Sequence, residues 1–277
     1  MSSKKMSLKK NFSRSSKKSK KKAPVEIDTK KSTVANVKLV TNDKTINENI
    51  PSYTYIDKPA FTSVIFNCKE GQIIVADSGK MNYMDGDFDV KTSSRGGIFK
   101  GLKRLASSSS MFETTYTSKS PNSKICLSHF LPGDMFSLKI NPGERIVFGS
   151  HALVCMSNNV QVQTRLRLKG LFTRESAFLN DLVIDKKSNQ PGMVWLSSYG
   201  GYKKISLAPE QKFVLSGGLF LAAHSHVKYK LGRLSSFKNM VLSGEGIVMK
   251  FVGPAEIYIR TRNLHSFCRF IDLKYKL

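Results

Sequence analysis

Three stretches of this chain share one pattern, and that internal repetition constrains the fold more than any other feature of the sequence. In chain order, they are residues 68–92, 140–164 and 207–231. The first two superpose at an offset of 72 residues, which places Val75 over Val147 and Met84 over Met156. The second and third superpose at an offset of 67, which places Val147 over Val214. The chain therefore contains one structural unit three times.

Each copy has the same order of elements: a turn, a strand, a turn of small residues, a second strand and a third strand. A Lys/Arg-Gly-Leu piece and a polar turn then lead into another strand. A β-unit of about 70 residues cannot bury its own apolar face, so three of them are expected to pack together around a pseudo-threefold axis. We predict a single all-β domain over residues 34–277 with repeats at about 60–130, 131–195 and 196–270.

Short segments of alternating hydrophobicity extend through this body, as in "QIIVA", "RIVFGS", "KFVLSG" and "EIYIRT". Turn residues separate them at short intervals, in pieces such as "MDGD", "LPGD" and "NPGE". Many short strands divided by turns are typical of an all-β fold. The sequence predicts little helix, and the best candidate is "GGIFKGLKRLASS" at 96–108.

The glycines near the C-terminus raise the question of a phosphate-binding loop. Gly244, Gly246 and Gly253 lie within ten residues. Such a loop needs a helix directly after it, because the helix N-terminus supplies the phosphate-binding amides. The segment that follows alternates like a strand, so we predict a turn at Gly244 and Gly246 and a β-hairpin tip at Gly253 and Pro254. Gly133 and Gly143 are predicted turn residues of the same kind.

Three blocks of the sequence together resemble the altered-inheritance-of-mitochondria-24 family over about residues 60–265. They are "ADSGKMNYMDGDFDV...GGIFKGLKRLASSSSMFETTY", "LSHFLPGDMFSLKINPGERIVF" and "LSGEGIVMKFVGPAEIYIRTRNL". The resemblance implies three tandem units like the subunit of the tryptophan RNA-binding attenuation protein, each a small double-stranded β-helix. It also implies further assembly into homo-oligomers, no established catalytic activity and, for fungal members, a role in organising the mitochondrial inner membrane.

Positive charge is the other unusual property. The chain has 45 Lys and Arg against 20 Asp and Glu, a formal net charge of +25. Residues 1–31 hold 12 basic and 2 acidic side chains, so the remaining residues still carry +15. Such an excess favours binding to a polyanion, either nucleic acid or another anionic surface.

The first 33 residues are rich in Lys and Ser and poor in apolar side chains, which predicts a disordered tail. Its "KKSKKK" run can contact phosphates or act as a nuclear-localisation patch, and a solubilising tail is the plainer alternative. The lysines of this run are Lys17, Lys18, Lys20, Lys21 and Lys22.

Further basic candidates lie in the body. In "RLRLK" and "YIRTR", alternate residues of a strand are basic and would share one face. The predicted polyanion-binding residues of the body are Lys100, Lys103, Arg104, Arg165, Arg167, Lys169, Arg260 and Arg262. His224 and His226 are a weak metal candidate, since residues two apart on a strand share a face but no third ligand is identifiable.

The sequence predicts an intracellular protein, since it has no apolar run long enough to span a membrane, no secretory signal and no CxxC pair among its four cysteines. The nucleus, the mitochondrion and a viral particle all remain open as its location. We predict a non-enzymatic, oligomeric scaffold that binds polyanions without sequence specificity, with no cofactor and no small-molecule substrate. The alternative is a membrane- or assembly-organising protein whose tail lies on anionic lipids.

Overall fold

The structure is a computed structural model of the chain, and it describes residues 48–94, 112–149, 151–166, 178–232 and 248–275. At residues 164–166 and 178 it describes the backbone alone. All of these residues belong to the larger of the two units into which the chain divides, Lys38–Leu277. The predicted tail and the candidate helix at 96–108 lie outside the described residues, and the predicted domain boundaries stay predictions.

The described residues form nineteen strands and one α-helix, which confirms the all-β fold class. In chain order, the elements are β1 (Ser52–Ile56), β2 (Ser63–Cys68), β3 (Ile73–Asp77), β4 (Met81–Asp85), β5 (Phe88–Ser94), β6 (Phe112–Ser118), β7 (Ser123–Ser128), β8 (Met135–Ile140), β9 (Arg145–Phe148), β10 (Leu153–Ser157), β11 (Val160–Leu166), β12 (Phe178–Ile184), β13 (Gly192–Ser197), β14 (Tyr202–Leu207), β15 (Lys212–Ser216), β16 (Phe220–His224), β17 (Tyr229–Gly232), β18 (Val248–Val252), β19 (Ala255–Arg260) and α1 (Leu264–Tyr275).

These strands make four antiparallel sheets. Two sheets have six strands, in the orders β5-β6-β3-β10-β13-β8 and β11-β12-β9-β16-β19-β14. A third has four strands, β1-β2-β7-β4, and a fourth has three, β15-β18-β17. The segments that alternate in the sequence become strands because apolar, β-branched and aromatic side chains suit a half-buried pleated surface.

One pairing order occurs three times along the chain. The first strand of each repeat pairs with the fourth, and the fourth with the third: β3-β6-β5, β9-β12-β11 and β15-β18-β17. The second strand pairs with the fifth, and the fifth with the strand before the repeat: β4-β7-β2, β10-β13-β8 and β16-β19-β14. The sequence repeats therefore share one connectivity, while their arrangement around a pseudo-threefold axis stays a prediction.

Three clusters of buried apolar side chains form the core. One joins the first and second repeats, and in it Trp195 and Phe66 pack edge to face with ring centroids 4.8 Å apart. A second cluster draws on all three repeats and includes Val75, Met156 and Leu221. The third fills the space beneath the three-stranded sheet. Two of the three clusters therefore combine many side chains of different repeats, as expected for units that pack against one another.

Gly133 lies where the backbones of the three repeats come closest. It forms parallel bridges with both Phe61 and Gly200, and the 72- and 67-residue offsets relate these three positions. Thr62 N–H donates to the Gly133 carbonyl at 3.0 Å. A Cβ at Gly133 would collide with the carbonyl oxygen of Ser198. Glycine is required here because a neighbouring backbone occupies the space of a side chain.

The predicted hairpin over β18 and β19 is wrong. β18 pairs with β15 and β17, whereas β19 pairs with β14 and β16 in another sheet. The bend at Gly253 and Pro254 therefore carries the chain from one sheet to the next. It is tied to the turn before β15, since Gly253 N–H donates to the Gln211 carbonyl at 2.9 Å. Period-two alternation shows which side chains of a strand are buried, but it does not identify the partner strand.

The other predicted turn residues have mixed outcomes. Gly143 lies in the turn between β8 and β9, with a φ angle of 83°. Gly244 and Gly246 lie outside the described residues.

The C-terminal helix α1 was not predicted. Asn263 caps it, because its side-chain oxygen accepts hydrogen bonds from the N–H groups of His265 at 2.9 Å and Ser266 at 3.3 Å. An asparagine before apolar residues at helical spacing, Leu264, Phe267 and Ile271, is the signal that identifies this helix in the sequence.

Candidate functional site

Most of the basic residues predicted from the sequence lie where the structure gives no side-chain description. Arg165 belongs to β11, for which the backbone alone is described at that position. The others outside the described residues are Lys17, Lys18, Lys20, Lys21, Lys22, Lys100, Lys103, Arg104, Arg167 and Lys169. Their role in polyanion binding stays a prediction.

Arg260 and Arg262 do not share an exposed face, so that prediction is wrong. Arg260 is the last residue of β19 and has 6% of its surface exposed. Arg262 is exposed beyond the strand and donates a hydrogen bond to the Thr261 carbonyl at 3.0 Å. Alternation ends with the strand, and the Arg260 guanidinium lies against Gly149, where a hypothetical Cβ would be 3.5 Å from its Nη2.

Arg260 instead belongs to a group that we call the basic cluster: Lys80, His129, His151 and Arg260. Lys80 and Arg260 are buried, His129 is half-buried and His151 is exposed. Lys80 is 4% exposed, and burial lowers its pKa while the nearby Asp77 carboxylate opposes that change. Burial likewise lowers the pKa of Arg260 to about 10.

The two histidines of the basic cluster both have lowered pKa values. Burial first, and then the charge of Lys80, lower the pKa of His129 to about 3. Burial and the charge of Arg260 lower the pKa of His151. The Leu131 N–H donates to His129 Nδ1 at 3.0 Å, which leaves the proton on Nε2. The cluster combines side chains from all three repeats, but its buried cations are not placed to contact the phosphates of a long polyanion.

The positive charge of the body is concentrated in the third repeat. Residues 196–270 contain 11 basic and 3 acidic side chains. Residues 60–130 contain 9 and 6, and residues 131–195 contain 8 and 5. A polyanion-binding surface of the body is therefore to be sought on the strands of the third repeat.

The sheet β15-β18-β17 presents such a surface, which we call the lysine face: Lys212, Lys230 and Lys250. Lys230 and Lys250 are direct cross-strand partners, and Lys212 lies on the same side of the sheet one pair further along β18. All three side chains are exposed. The opposite side of the sheet carries Leu215, Met249 and Phe251 of the core.

No carboxylate neutralises the lysine face among the ion pairs of the described residues. Lys204 of the same repeat differs, since its Nζ lies 2.7 Å from Glu256 Oε1. The side chain of Lys250 extends past Gly232, whose hypothetical Cβ would lie 3.5 Å from Lys250 Cε. The face is thus an exposed group of cations that has no carboxylate partner among the residues that the structure describes. The sequence signal for it was "VKYKL" together with "VMKFV", two alternating strands with lysines on their polar side.

His224 and His226 lie close together, with ring centroids 5.7 Å apart. His224 ends β16 and His226 follows in a turn, so the two do not belong to one strand as predicted. Glu144 is near enough for their charges to contribute to the lowering of its pKa, whose main cause is the Asn141 backbone N–H. Within the part of the chain that the structure describes, no group of three side chains is arranged to hold a metal ion.

A polar cavity of about 320 Å³ lies between the first and second repeats. Amide and hydroxyl side chains line it, including Gln72, Ser157, Asn159 and Gln190. No titratable side chain is among the described residues that line it, so its serine hydroxyls have no described neighbouring base to activate them.

Three of the four cysteines are buried structural residues. Burial raises the pKa of the Cys68 thiol to about 12 and also raises the pKa values of Cys126 and Cys155. Cys268 on α1 is exposed. The three buried thiols stay protonated and so lack the thiolate that nucleophilic catalysis requires.

Helix α1 presents a row of exposed apolar side chains. Phe267, Phe270 and Leu273 are spaced by three residues and are exposed, with Leu273 at 74%. Arg269 and Lys274 lie among them in the same helix. Among the described helices, none is long and apolar enough to cross a membrane.

Comparisons with known proteins agree with the fold. A Streptococcus pyogenes protein solved by X-ray crystallography resembles the chain with a TM-score of 0.63 and 21% sequence identity. The match covers 80% of this chain and 98% of that one. No curated protein matches significantly. The family model described as mitochondrial biogenesis AIM24 matches residues 53–262, most of the described body. The chain therefore belongs to the AIM24 family.

Proposed function

We propose that this chain is a non-enzymatic scaffold protein that binds polyanions through its lysine face and its basic tail, without sequence specificity. Lysines on an exposed sheet bind phosphates as point charges and do not distinguish one base from another. Nucleic acid is the polyanion that this chemistry fits, since its backbone carries closely spaced phosphates that several lysines can contact together. Affinity would then fall steeply as the salt concentration rises.

The direct pairing of Lys230 with Lys250 carries this proposal. Like charges directly opposite each other in a sheet are destabilising. Lys212 adds a third cation on the same side, and none of the three has a described carboxylate partner. A polyanion lying across β15, β18 and β17 would relieve this repulsion, because its phosphates would stand between the ammonium groups.

A charge-reversal experiment tests the proposal. The double variant Lys230→Glu/Lys250→Glu is compared with wild type in fluorescence-anisotropy titrations of a 30-mer single-stranded DNA at low salt. Loss of two phosphate contacts and gain of two repulsive charges should weaken binding by more than tenfold, since each ion contact contributes strongly at low salt. Both positions are exposed, so the fold should be retained.

The matched control is Lys69→Glu/Lys119→Glu, which makes the same charge change at two exposed positions of the first repeat. We expect the control to lower affinity only slightly, through the change in net charge. Equal losses in the two double variants would show that total charge governs binding and would contradict a role for the lysine face. Binding that is unaffected by high salt would contradict the phosphate mechanism itself.

The second candidate is a protein that organises a membrane surface or an assembly on it, and helix α1 favours it. Phe267, Phe270 and Leu273 are exposed on a helix that also carries Arg269 and Lys274. Apolar side chains flanked by cations suit the interface of an anionic bilayer. The description of the family as mitochondrial biogenesis supports a mitochondrial role.

Co-sedimentation with liposomes tests this candidate. Wild type and the variant Phe270→Glu/Leu273→Glu are mixed with vesicles of phosphatidylcholine, with and without 30% phosphatidylserine, a working composition chosen to give a strongly anionic surface. If wild type binds the anionic vesicles and the variant does not, the result would support a membrane function. If Lys230→Glu/Lys250→Glu abolishes vesicle binding and Phe270→Glu/Leu273→Glu does not, the membrane contact would belong to the lysine face and not to α1.

A further inference from the structure

The strand β4 differs from its counterparts in the other repeats. All five residues of β4 are exposed, whereas all five of β10 are buried and four of the five of β16 are buried. The three strands pair in the same way with the fifth strand of their own repeat, and each has a register shift at the corresponding position. The difference must therefore arise on their other edge.

That other edge is where one repeat joins the next. β10 of the second repeat pairs with β3 of the first, with Met156 opposite Val75. β16 of the third repeat pairs with β9 of the second, with Ala223 opposite Val147. Each junction has three residue pairs, and each completes a six-stranded sheet from three strands of one repeat and three of its neighbour.

The other two sheets each contain three strands of one repeat but have no paired strands from a neighbouring repeat among those described. The three-stranded sheet ends at β15, which corresponds to β3 and β9. The four-stranded sheet ends at β4, which corresponds to β10 and β16, and β1 is added at its far side. Among the described strands, none pairs with the second edge of β15 or β4.

The repeat offsets define the register in which these two edges would pair. An offset of 72 relates Met84 to Met156, and offsets of 72 and 67 relate Val75 and Val147 to Val214. Both existing junctions then predict the same partners, with Met84 opposite Val214. The adjoining pairs are Tyr83 with Leu215 and Asp85 with Phe213.

The side chains at this position show what the missing junction leaves uncovered. At the existing junctions, Met156 and Val75 are 2% and 5% exposed, and Ala223 and Val147 are 4% and 2% exposed. Met84 is 37% exposed and Val214 is 48% exposed. Tyr83 beside Met84 is 47% exposed. The unjoined edges thus present apolar side chains whose equivalents are buried wherever a neighbour is present.

We propose that β4 of one molecule pairs antiparallel with β15 of a second copy of this chain, with Met84 opposite Val214. The contact repeats an interface that the chain already makes twice within itself, and it satisfies the backbone hydrogen-bonding groups of two sheet edges. It is heterologous, so successive copies form either a closed ring or an open filament. The inference deepens the scaffold part of the proposed function and involves no polyanion. Val214 pairs with Lys250 and so lies on the lysine face, which means that the junction would cover part of that face.

Cross-linking between two chains tests the register, each with one introduced cysteine beside the three buried native ones. Met84→Cys and Val214→Cys are each made in full-length chain carrying Cys268→Ser, because Cys268 is the exposed native thiol among the described residues. The two proteins, one with a mass tag, are mixed without nucleic acid and treated with a short bismaleimide. A covalent heterodimer is expected from the mixture, with far less homodimer from either protein alone.

The control partner is Val252→Cys. Val252 is 45% exposed and belongs to the same sheet, but it lies on β18, which has strands on both sides. Heterodimer formed equally well with Val252→Cys would overturn the proposal. Cross-linking within one molecule of the double variant Met84→Cys/Val214→Cys at high dilution would also overturn it, because the chain would then close on itself.

Solution mass provides the second measurement. Light scattering after size exclusion, again without polyanion, should give wild type a mass of two or more chains. Met84→Lys should reduce it to one chain, because a charge on an exposed edge strand blocks pairing, while Val252→Lys should leave it unchanged. A monomeric wild type would overturn the proposal and leave the DNA-binding and liposome tests unaffected.

Discussion

Trp195 of β13 and Phe66 of β2 pack edge to face with both side chains fully buried, and the contact joins the second repeat to the first. The two strands belong to different sheets. Tyr53 packs against the same indole, with ring centroids 5.1 Å apart. Aromatic pairs of this geometry contribute free energy beyond the area that they bury.

Trp195→Ala should therefore strongly destabilise the protein. Truncation of a buried Trp leaves a large cavity and costs about 3–5 kcal/mol of unfolding free energy. Urea unfolding followed by circular dichroism measures this, because the chain has one Trp and the variant loses the fluorescence signal. Trp195→Phe should cost clearly less, since it keeps most of the packing. Equal losses in the two variants would contradict the packing argument.

Gly133→Ala should also destabilise the protein, for a steric reason. Its Cβ would overlap the Ser198 carbonyl oxygen, and the backbone of Gly200 leaves no room for adjustment. We expect a loss of more than about 1 kcal/mol in thermal or urea unfolding. Gly201→Ala is the control, since its Cβ would meet Thr261 at 3.7 Å, an ordinary contact. If Gly133→Ala left the free energy of unfolding unchanged, the backbones of the three repeats would not be in close contact at this position.

His129 should make stability depend on pH between about 6.5 and 3. Burial and the charge of Lys80 lower its pKa in the folded state to about 3, against about 6.5 in the unfolded chain. Because the unfolded state alone binds the proton in this range, the free energy of unfolding is unaffected above pH 6.5. Below it, this free energy falls by up to about 1.4 kcal/mol per pH unit.

Urea unfolding of wild type and His129→Gln at pH 7, 6, 5 and 4 checks this effect. The variant cannot take up that proton, so its stability should fall less steeply on acidification than that of wild type. Carboxylates and His151 contribute to both proteins, so the difference between the two slopes isolates His129. Parallel slopes would mean that the imidazole is accessible to protons in the folded state.

Deletion of residues 1–31 should weaken DNA binding and reduce its dependence on salt. The deletion removes 12 basic and 2 acidic residues. Each phosphate contact contributes about 0.9 to the slope of log K against log salt on duplex DNA. If the lysine face binds independently, Lys230→Ala/Lys250→Ala should reduce the slope further in the truncated chain. A truncated chain with no residual binding would assign the whole interaction to the tail.

Local patterns in the sequence were sufficient to predict the strands and the repeat. Alternation at "QIIVA" and "RIVF" depends on residues that are neighbours in the chain, and each repeat preserves it. The same signals placed the turn at Gly143 and grouped Val75, Val147 and Val214 as equivalent positions. They did not identify helix α1, whose helical spacing begins directly after the last predicted strand.

Strand partners and exposure were decided by the tertiary structure, because they depend on residues far apart in the sequence. Alternation made Arg260 and Arg262 equivalent candidates, but in the folded chain Arg260 is buried at the end of β19, whereas Arg262 lies beyond the strand and is exposed. The lysine face exists because β17 lies beside β18, which opposes Lys230 to Lys250. By itself, the sequence determined an all-β chain of three repeats with excess positive charge. The pairing of strands decided which charges gather on one surface and which two edges remain unjoined.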